Sequence, residues 1–154
     1  HVRSRRQRQM CIRDRHKMKH LALWVFIIFC CAAAPSQAAE PTSLQGSWTL
    51  KSAVYTKADG TVIKVSGEDL KSVKVLSKSY FSFVTVNKDG SFSSALTGTY
   101  QLKGNDYHET PQTGSVASML NKTYEFKAKV EGDLWHHSGM EDGMKIEEVW
   151  QRLD

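Results

Sequence analysis

Glu148 is the side chain whose position most suggests binding chemistry. It alternates in phase with Ile146 and Trp150 on a predicted C-terminal strand, while Glu147 falls on the opposite face. If the apolar residues face a protein interior, so does the Glu148 carboxylate, and a buried carboxylate must be paired, hydrogen-bonded or protonated. It would suit a cationic or neutral polar group of a ligand, or it would belong to an internal network with histidine or water.

Two adjacent histidines, His136 and His137, lie on the preceding predicted strand, where only one of them can face inward. His137 shares a parity with Trp135, so we predict that these two side chains point inward. An inward histidine near Glu148 would form a titratable couple. Zinc needs three or four converging ligands, and neighbouring histidines on a strand diverge. We therefore expect no metal and no other cofactor, with haem held through a single histidine as the alternative.

An aromatic set with polar tips completes the candidate ligand site. Tyr107 and Glu109 share a parity on one predicted strand, and tyrosine hydroxyls and a carboxylate can orient an otherwise apolar ligand. The alternative is that these side chains simply fill the interior. The predicted ligand-binding residues combine an inward parity with an aromatic or polar side chain: Tyr100, Tyr107, Glu109, Tyr124, Phe126, Trp135, His137, Glu148 and Trp150.

No arrangement typical of catalysis stands out in the sequence. It contains no G-x-S-x-G, no H-E-x-x-H and no phosphate-binding loop. All three cysteines lie within residues 1–38, so the rest of the chain has no thiol nucleophile and no Cys-ligated metal. We predict no catalytic residues and no enzymatic activity. The alternative is a small enzyme that uses Glu109, His137 and Glu148.

Short alternating runs, separated by turn residues, must position these side chains. Residues 123–130 alternate charged with apolar side chains, which is typical of a half-buried strand. Residues 87–90 and 131–133 contain glycine in sequences typical of tight turns. Helical candidates are limited to residues 67–71 and 115–121. About eight to ten short strands joined by sequential turns predict an all-β fold, an up-and-down antiparallel β-barrel with at most short helical turns.

The same alternation predicts which way particular residues face. Val54 shares the apolar face of the first run with Trp48. Val73-Lys74-Val75 is a short run of the same kind, in which the lysine falls on the polar face. Phe92 shares the parity of Leu96. One face of nearly every strand is thus apolar or aromatic, and the other is rich in Lys, Thr and Ser.

Residues 1–38 differ in composition from the rest of the chain. They hold eight of the 21 Lys and Arg residues but one of the 16 Asp and Glu residues, so the remainder is slightly acidic. The overall basic charge therefore gives no support for a nucleic-acid partner. Lys19 precedes fourteen apolar residues, 21–34, and a small-residue exit, the pattern of a secretory signal peptide. A helix of this length would span about 21 Å, short of a hydrocarbon core of about 30 Å.

We therefore predict three segments. Residues 1–17 are an upstream segment that is untranslated or artefactual, with an Arg-rich arm as the alternative. Residues 18–38 are the signal peptide, cut after Ala38, and residues 39–154 are the β-barrel domain. The protein would then be periplasmic or secreted and monomeric, and it would touch a membrane only through the uncleaved signal segment.

Gly46-Ser47-Trp48 on the first predicted strand resembles the G-x-W signature of the lipocalin and fatty-acid-binding superfamily, the calycins. The chain is most similar to small bacterial secreted lipocalin-like domains of unassigned function. The similarity covers about residues 44–153. Its pattern further comprises Gly98-Thr99-Tyr100, Tyr107-x-Glu109, Val130-Glu131-Gly132-Asp133-x-Trp135-x-x-Ser138-Gly139 and Glu147-Glu148-Val149-Trp150-Gln151-Arg152.

This resemblance implies a barrel whose base is closed by Arg152 packed over Trp48. A small hydrophobic or amphipathic ligand would enter at the opposite end, near residues 110–121, and the protein would be a carrier, scavenger or sensor. In fatty-acid-binding proteins an Arg of the last strand holds the ligand carboxylate, and here Glu148 reverses that charge. The alternative is a barrel filled by its own side chains that acts structurally or through another protein.

Overall fold

The computed structural model describes residues 43–154. The predicted signal peptide, its cleavage after Ala38 and the segment that precedes it lie outside the described residues. The described part contains nine strands and one 3₁₀ turn, with the following bounds: β1 Gly46–Thr56, β2 Val62–Ser66, β3 Leu70–Leu76, β4 Tyr80–Asn87, β5 Phe92–Lys103, β6 Asp106–Gly114, the 3₁₀ turn Ala117–Met119, β7 Tyr124–Glu131, β8 Leu134–Glu141 and β9 Met144–Arg152.

Antiparallel pairing joins these strands into one closed sheet. Strands β3 to β9 are neighbours in chain order, and β1 closes the ring by pairing with both β3 and β9. Strand β2 pairs with the second half of β1, at residues 52–56, and adds a ninth strand to the ring of eight. The predicted all-β, up-and-down antiparallel barrel is therefore confirmed, with β2 as an additional strand.

The turns between strands follow the predicted chemistry. In the β4–β5 turn the Gly90 amide donates to the Asn87 carbonyl oxygen at 2.9 Å, and Gly90 has a φ of +84°, a conformation that glycine adopts at low steric cost. Of the two helical candidates, residues 115–121 contain the 3₁₀ turn and residues 67–71 form a turn that runs into β3. Within residues 43–154, no helix is long and apolar enough to cross a membrane.

Gly98 allows β5 and β6 to approach each other closely. The register between the two strands shifts between Thr97 and Gly98. A Cβ atom on Gly98 would lie inside van der Waals contact of the Thr110 carbonyl oxygen and would also meet the Pro111 backbone. The glycine of the Gly98-Thr99-Tyr100 pattern is therefore required by backbone proximity.

Strand β3 faces the opposite way from its local pattern. Lys74 is 3 % exposed inside the barrel, whereas Val73 and Val75 are 44 % and 48 % exposed on the outside. The prediction that Lys74 lies on the polar outer face is therefore wrong. The whole strand explains this orientation, because Leu70 and Leu76 share the parity of Lys74 and lie on the inner face with it.

Register shifts change the facing of two further residues. The pairing of β1 with β9 skips Lys51, so Ala53 is buried and Val54, one position on, is half-buried on the other face. The prediction that Val54 shares the face of the buried tryptophan is wrong. A second shift lies between β4 and the start of β5. Phe92 is consequently 59 % exposed, although it shares the parity of the buried Leu96. Each bulge inserts one unpaired residue and exchanges the two faces.

Candidate functional site

One end of the barrel is closed by Trp48 and Arg152. The guanidinium of Arg152 lies over the indole of Trp48, with Cζ 4.1 Å from the ring centroid. Nε1 of Trp48 donates to the Leu44 carbonyl oxygen at 2.8 Å. Arg152 donates to the carbonyl oxygens of Gln45 and Ser43 at 2.9 Å and 2.8 Å. A cation–π contact of this kind is worth about 0.5–2 kcal/mol, and these bonds hold the segment before β1 across the base.

Aromatic side chains fill the barrel next to this base. Trp135 packs edge-on against Trp48 and Tyr107, with ring centroids 5.6 Å and 5.5 Å apart. Tyr124 lies at the other end of the barrel, where its hydroxyl donates to Asp142 of the β8–β9 turn at 3.1 Å, and burial together with Asp142 raises the pKa of Tyr124 to about 12. Five of the nine predicted ligand-binding residues are buried in the interior of the barrel and do not line the cavity described next: Tyr100, Tyr107, Tyr124, Phe126 and Trp135.

The opposite end of the barrel holds a cavity of about 290 Å³. Tyr55 and Met144, at the far end of the β1–β9 pair from the base, contribute to its wall. Val116 borders it from the 3₁₀ segment, and the exposed Ser93 lies where it opens to solvent. This is the end at which we expect a ligand to enter. The other four predicted ligand-binding residues line the cavity: Glu109, His137, Glu148 and Trp150.

An ion pair between Lys74 and Glu109 lies at the inner side of this cavity. Nζ of Lys74 is 2.6 Å from Oε2 of Glu109, and both side chains are almost fully buried. The Tyr107 hydroxyl donates to the same oxygen at 2.8 Å, and burial and the Glu109 charge hold the pKa of Tyr107 well above its usual range. Nζ of Lys74 also lies 5.0 Å and 5.4 Å from the ring centroids of Phe81 and Trp135. The ammonium is thus held by one carboxylate and a cage of aromatic rings.

Glu148 lies in a second polar group, on the β9 side of the cavity. Its Oε1 accepts a hydrogen bond from the Tyr55 hydroxyl and its Oε2 accepts one from Nε1 of Trp150, both at 2.9 Å. Burial raises the pKa of Glu148, and Lys74 and the two hydrogen bonds oppose that rise. Burial and the Glu148 charge in turn raise the pKa of Tyr55. The carboxylate is therefore fixed in orientation while it still borders the cavity.

His137 lies opposite Glu148 in the β8–β9 register and is 4 % exposed. Its ring packs against Phe126 with centroids 4.1 Å apart. Burial, and to a smaller extent the charge of Lys74, hold the pKa of His137 well below its usual range, so the ring is neutral. Among the described residues its Nδ1 has no hydrogen-bond partner. His137 and Glu148 are thus neighbours. Nδ1 of His137 makes no hydrogen bond to Glu148, so the hydrogen-bonded couple that the sequence suggested is not formed through this atom.

Glu141 adds a third carboxyl group to the cavity wall. Burial raises its pKa to about 7, and the nearby charges of Glu109 and Glu148 act in the same direction. Around the cavity there are thus three carboxyl groups and one ammonium group. In the part of the chain that the structure describes, no group of three or more His, Cys, Asp or Glu residues could hold a metal ion.

Among the cavity residues that the sequence did not predict, three carry a titratable group. Tyr55 was missed because the bulge in β1 moves it to the inner face. Lys74 was missed because the apolar residues on either side of it, in the run 73–75, suggested that it faces outward. Leu70 and Leu76, at the ends of the strand, indicate the opposite orientation. Glu141 shares the parity of His137 on β8, and that alternation was a usable signal.

A closed ring of eight antiparallel strands, a base closed by Trp48 and Arg152, and a cavity at the other end define a lipocalin-like β-barrel. Residues 43–154 match the family model described as Domain of unknown function (DUF4488), and the chain belongs to that family.

Two solved structures are similar to this chain. One is a lipocalin-like protein from Bacteroides uniformis, with 22 % identity, a TM-score of 0.46, and coverage of 71 % of this chain and 98 % of the other. The second is an uncharacterized protein from Bacteroides eggerthii, with 21 % identity, a TM-score of 0.48, and coverage of 72 % of this chain and 100 % of the other. No curated protein matches the chain.

Proposed function

We propose that this protein binds one small amphipathic molecule in the cavity opposite Trp48 and Arg152, and that it acts as a carrier, scavenger or sensor. The observation that carries this proposal is the cavity itself. It combines an apolar wall with fixed polar groups at its inner side, as small-molecule sites do. The apolar part of the wall comes from five strands and the 3₁₀ segment: Leu50, Leu70, Phe83, Leu96, Met119, Met144 and Ile146.

The polar groups favour this proposal over a barrel that only fills itself. Apolar side chains of similar volume would stabilise a filled interior at least as well as a buried ion pair. The barrel instead keeps Lys74, Glu109 and Glu148 beside open volume, and Nδ1 of His137 lacks a partner among the described residues. A ligand that forms hydrogen bonds with these polar groups would offset the free-energy cost of keeping them away from water.

The proposed place of action is outside the cytoplasm, and the support for it is the signal-peptide pattern of residues 18–38. A small barrel in the periplasm or the medium would bind its ligand there. The mass of the protein recovered from a bacterial host tests this point, because cleavage after Ala38 would leave residues 39–154.

Native mass spectrometry tests the binding proposal. The chain is expressed from Met18 in a bacterial host, purified without detergent, and compared in native and denaturing conditions. We expect a reproducible additional mass that is lost on denaturation. A bare native mass that persists after incubation with a total small-molecule and lipid extract would contradict binding and would favour the filled-barrel alternative.

Two matched variants show whether such a ligand lies in the cavity. Ser94 lines the cavity on β5, and Ser94→Trp would fill much of it. Ser82 is exposed on the outer face of β4, so Ser82→Trp adds the same side chain outside the barrel. The additional mass should be lost in Ser94→Trp and retained in Ser82→Trp. Its retention in both variants would place the ligand elsewhere.

A further inference from the structure

The charges around the cavity do not balance. Four of the lining residues carry a carboxyl or ammonium group: Lys74, Glu109, Glu141 and Glu148. Lys74 and Glu109 compensate each other at 2.6 Å, which leaves two carboxyl groups without a cation among the lining residues. A carboxylate that is withdrawn from water in this way is stabilised by any positive charge that enters the cavity.

The Glu148 carboxylate can accept further hydrogen bonds from a ligand. Tyr55 and Trp150 each donate to one of its oxygens, and these bonds fix the plane of the group. A carboxylate has about four lone-pair positions, so each oxygen can accept one more hydrogen bond from the cavity side. The indole of Trp150 also lines the cavity, and indoles attract cations to their faces.

A second polar residue borders the same space. His137 is 4 % exposed and lines the cavity, and among the described residues its Nδ1 has no partner. A buried polar atom without a partner costs free energy unless water or a ligand reaches it. The cavity is therefore bordered by an imidazole ring on β8 as well as by carboxyl groups on β8 and β9.

We infer that the ligand is an amphipathic organic cation, an alkyl- or arylalkylamine, whose ammonium group binds at the carboxyl groups of Glu148 and Glu141 while its apolar part contacts Leu70, Phe83 and Met119. This inference rests on the proposed function, because it assigns the ligand class of the same cavity. An ammonium group supplies the missing positive charge and several N–H donors. A fatty acid would add a negative charge beside two carboxyl groups, and repulsion from their ionised forms would weaken its binding.

The titration behaviour of the two carboxyl groups supports this assignment. Burial raises the pKa of both, to about 7 for Glu141, and the charge of Glu109 contributes to the rise of each. An ammonium group beside them would lower both pKa values, so binding of the cation would release protons. The cavity volume of about 290 Å³ is at the small end of the range for small-molecule sites, which suits an amine of the size of octylamine.

Calorimetric titration with octylamine, octanol and octanoate tests the ligand class, because the three share a chain length and differ in charge. At neutral pH we expect octylamine to bind at least about tenfold more tightly than octanol, as a hydrogen bond to a charged group predicts. Octanoate should bind more weakly than octanol. Heat measured in buffers of different ionisation enthalpy should show proton release for octylamine.

Glu148→Gln should remove most of the preference for octylamine over octanol and leave the affinity for octanol unchanged. Glu147→Gln is the matched control, because Glu147 is the exposed neighbour on the outer face of β9, and it should keep the preference. Thermal unfolding of both variants checks that they are folded. The comparison of the three compounds on the unaltered protein needs no variant.

The outcomes separate the inference from the proposed function. Binding of octanol or octanoate at least as tightly as octylamine would overturn the amine assignment and leave small-molecule binding in place. An unchanged octylamine preference in Glu148→Gln would also overturn it. Absence of binding for all three compounds, together with a bare native mass after extract incubation, would overturn the proposed function and the inference with it.

Discussion

Replacing Lys74 by methionine tests whether Lys74 of β3 lies inside the barrel and forms an ion pair with Glu109. Methionine keeps most of the apolar stem and removes the ammonium group that lies 2.6 Å from Oε2 of Glu109. Glu109 then keeps the hydrogen bond from Tyr107 but has lost its compensating charge. Removal of one partner of a buried ion pair costs about 3–5 kcal/mol, and we expect the free energy of unfolding at neutral pH to fall by this amount.

Urea unfolding followed by tryptophan fluorescence measures this change. Lys71→Met is the matched control, because Lys71 is exposed on the outer face of the same strand, and we expect it to change stability by less than about 0.5 kcal/mol. Adding Glu109→Gln to Lys74→Met removes the uncompensated carboxylate. The double variant should therefore regain most of the lost stability, since replacing a whole buried pair is often nearly neutral.

One result would refute this reasoning. If Lys74→Met costs less than about 1 kcal/mol, the level of an exposed ion pair, Lys74 does not lie inside the barrel with Glu109. The local pattern of β3, with Val73 and Val75 inward, would then be correct. A double variant as unstable as the single one would also contradict the pairing, because the loss would not come from an unpaired Glu109 charge.

Two further predictions concern the base and the cavity wall. Trp48→Ala should lower the free energy of unfolding by about 3–5 kcal/mol, as other large-to-small core changes do, and a loss below about 1 kcal/mol in urea unfolding would remove Trp48 from the core. The pKa of Glu141 rises from 4.5 to about 7 on folding, so its contribution to stability is present below about pH 4.5 and is lost as the pH rises through 7. The stability of the unaltered protein relative to Glu141→Gln should therefore fall by about 2–3 kcal/mol over this range, and a pH-independent difference would show that this carboxyl group is hydrated.

Much of the fold could be predicted because its signals are local. Gly90 and Gly132 sit in turns of positive φ, and such turns are specified by a few neighbouring residues. Sequential turns between alternating runs then lead to a meander, and an all-β meander without helices to cover its faces closes on itself. The β8 and β9 alternation placed His137 and Glu148 inside, and the structure places both there. No register shift interrupts the pairing of these two strands.

The interior of β3 and β1 was settled by the tertiary structure. Leu70 and Leu76 indicate the inner face of β3, but the group that compensates the buried charge of Lys74 is Glu109, 35 residues away on β6. The bulges have the same character, because the pairing partner decides where a register shifts, as at Lys51 opposite β9. Each shift exchanges inside for outside beyond it, and so brings Tyr55 to Glu148.

The division between the filled core and the cavity is likewise a property of the assembled barrel. Residue types alone predicted nine inward side chains of equal standing, yet five are packed among other buried side chains and four line the cavity. Position along a strand does not separate the two groups, because Glu109 and Trp150 of the cavity lie directly opposite the packed Tyr124 and Trp135. The volume left over depends instead on how all eight strands are staggered and which side chains meet. Short stretches of sequence thus determine the strand order and the turns. The charge inside the barrel and the space beside it arise from contacts between distant residues, which no single stretch contains.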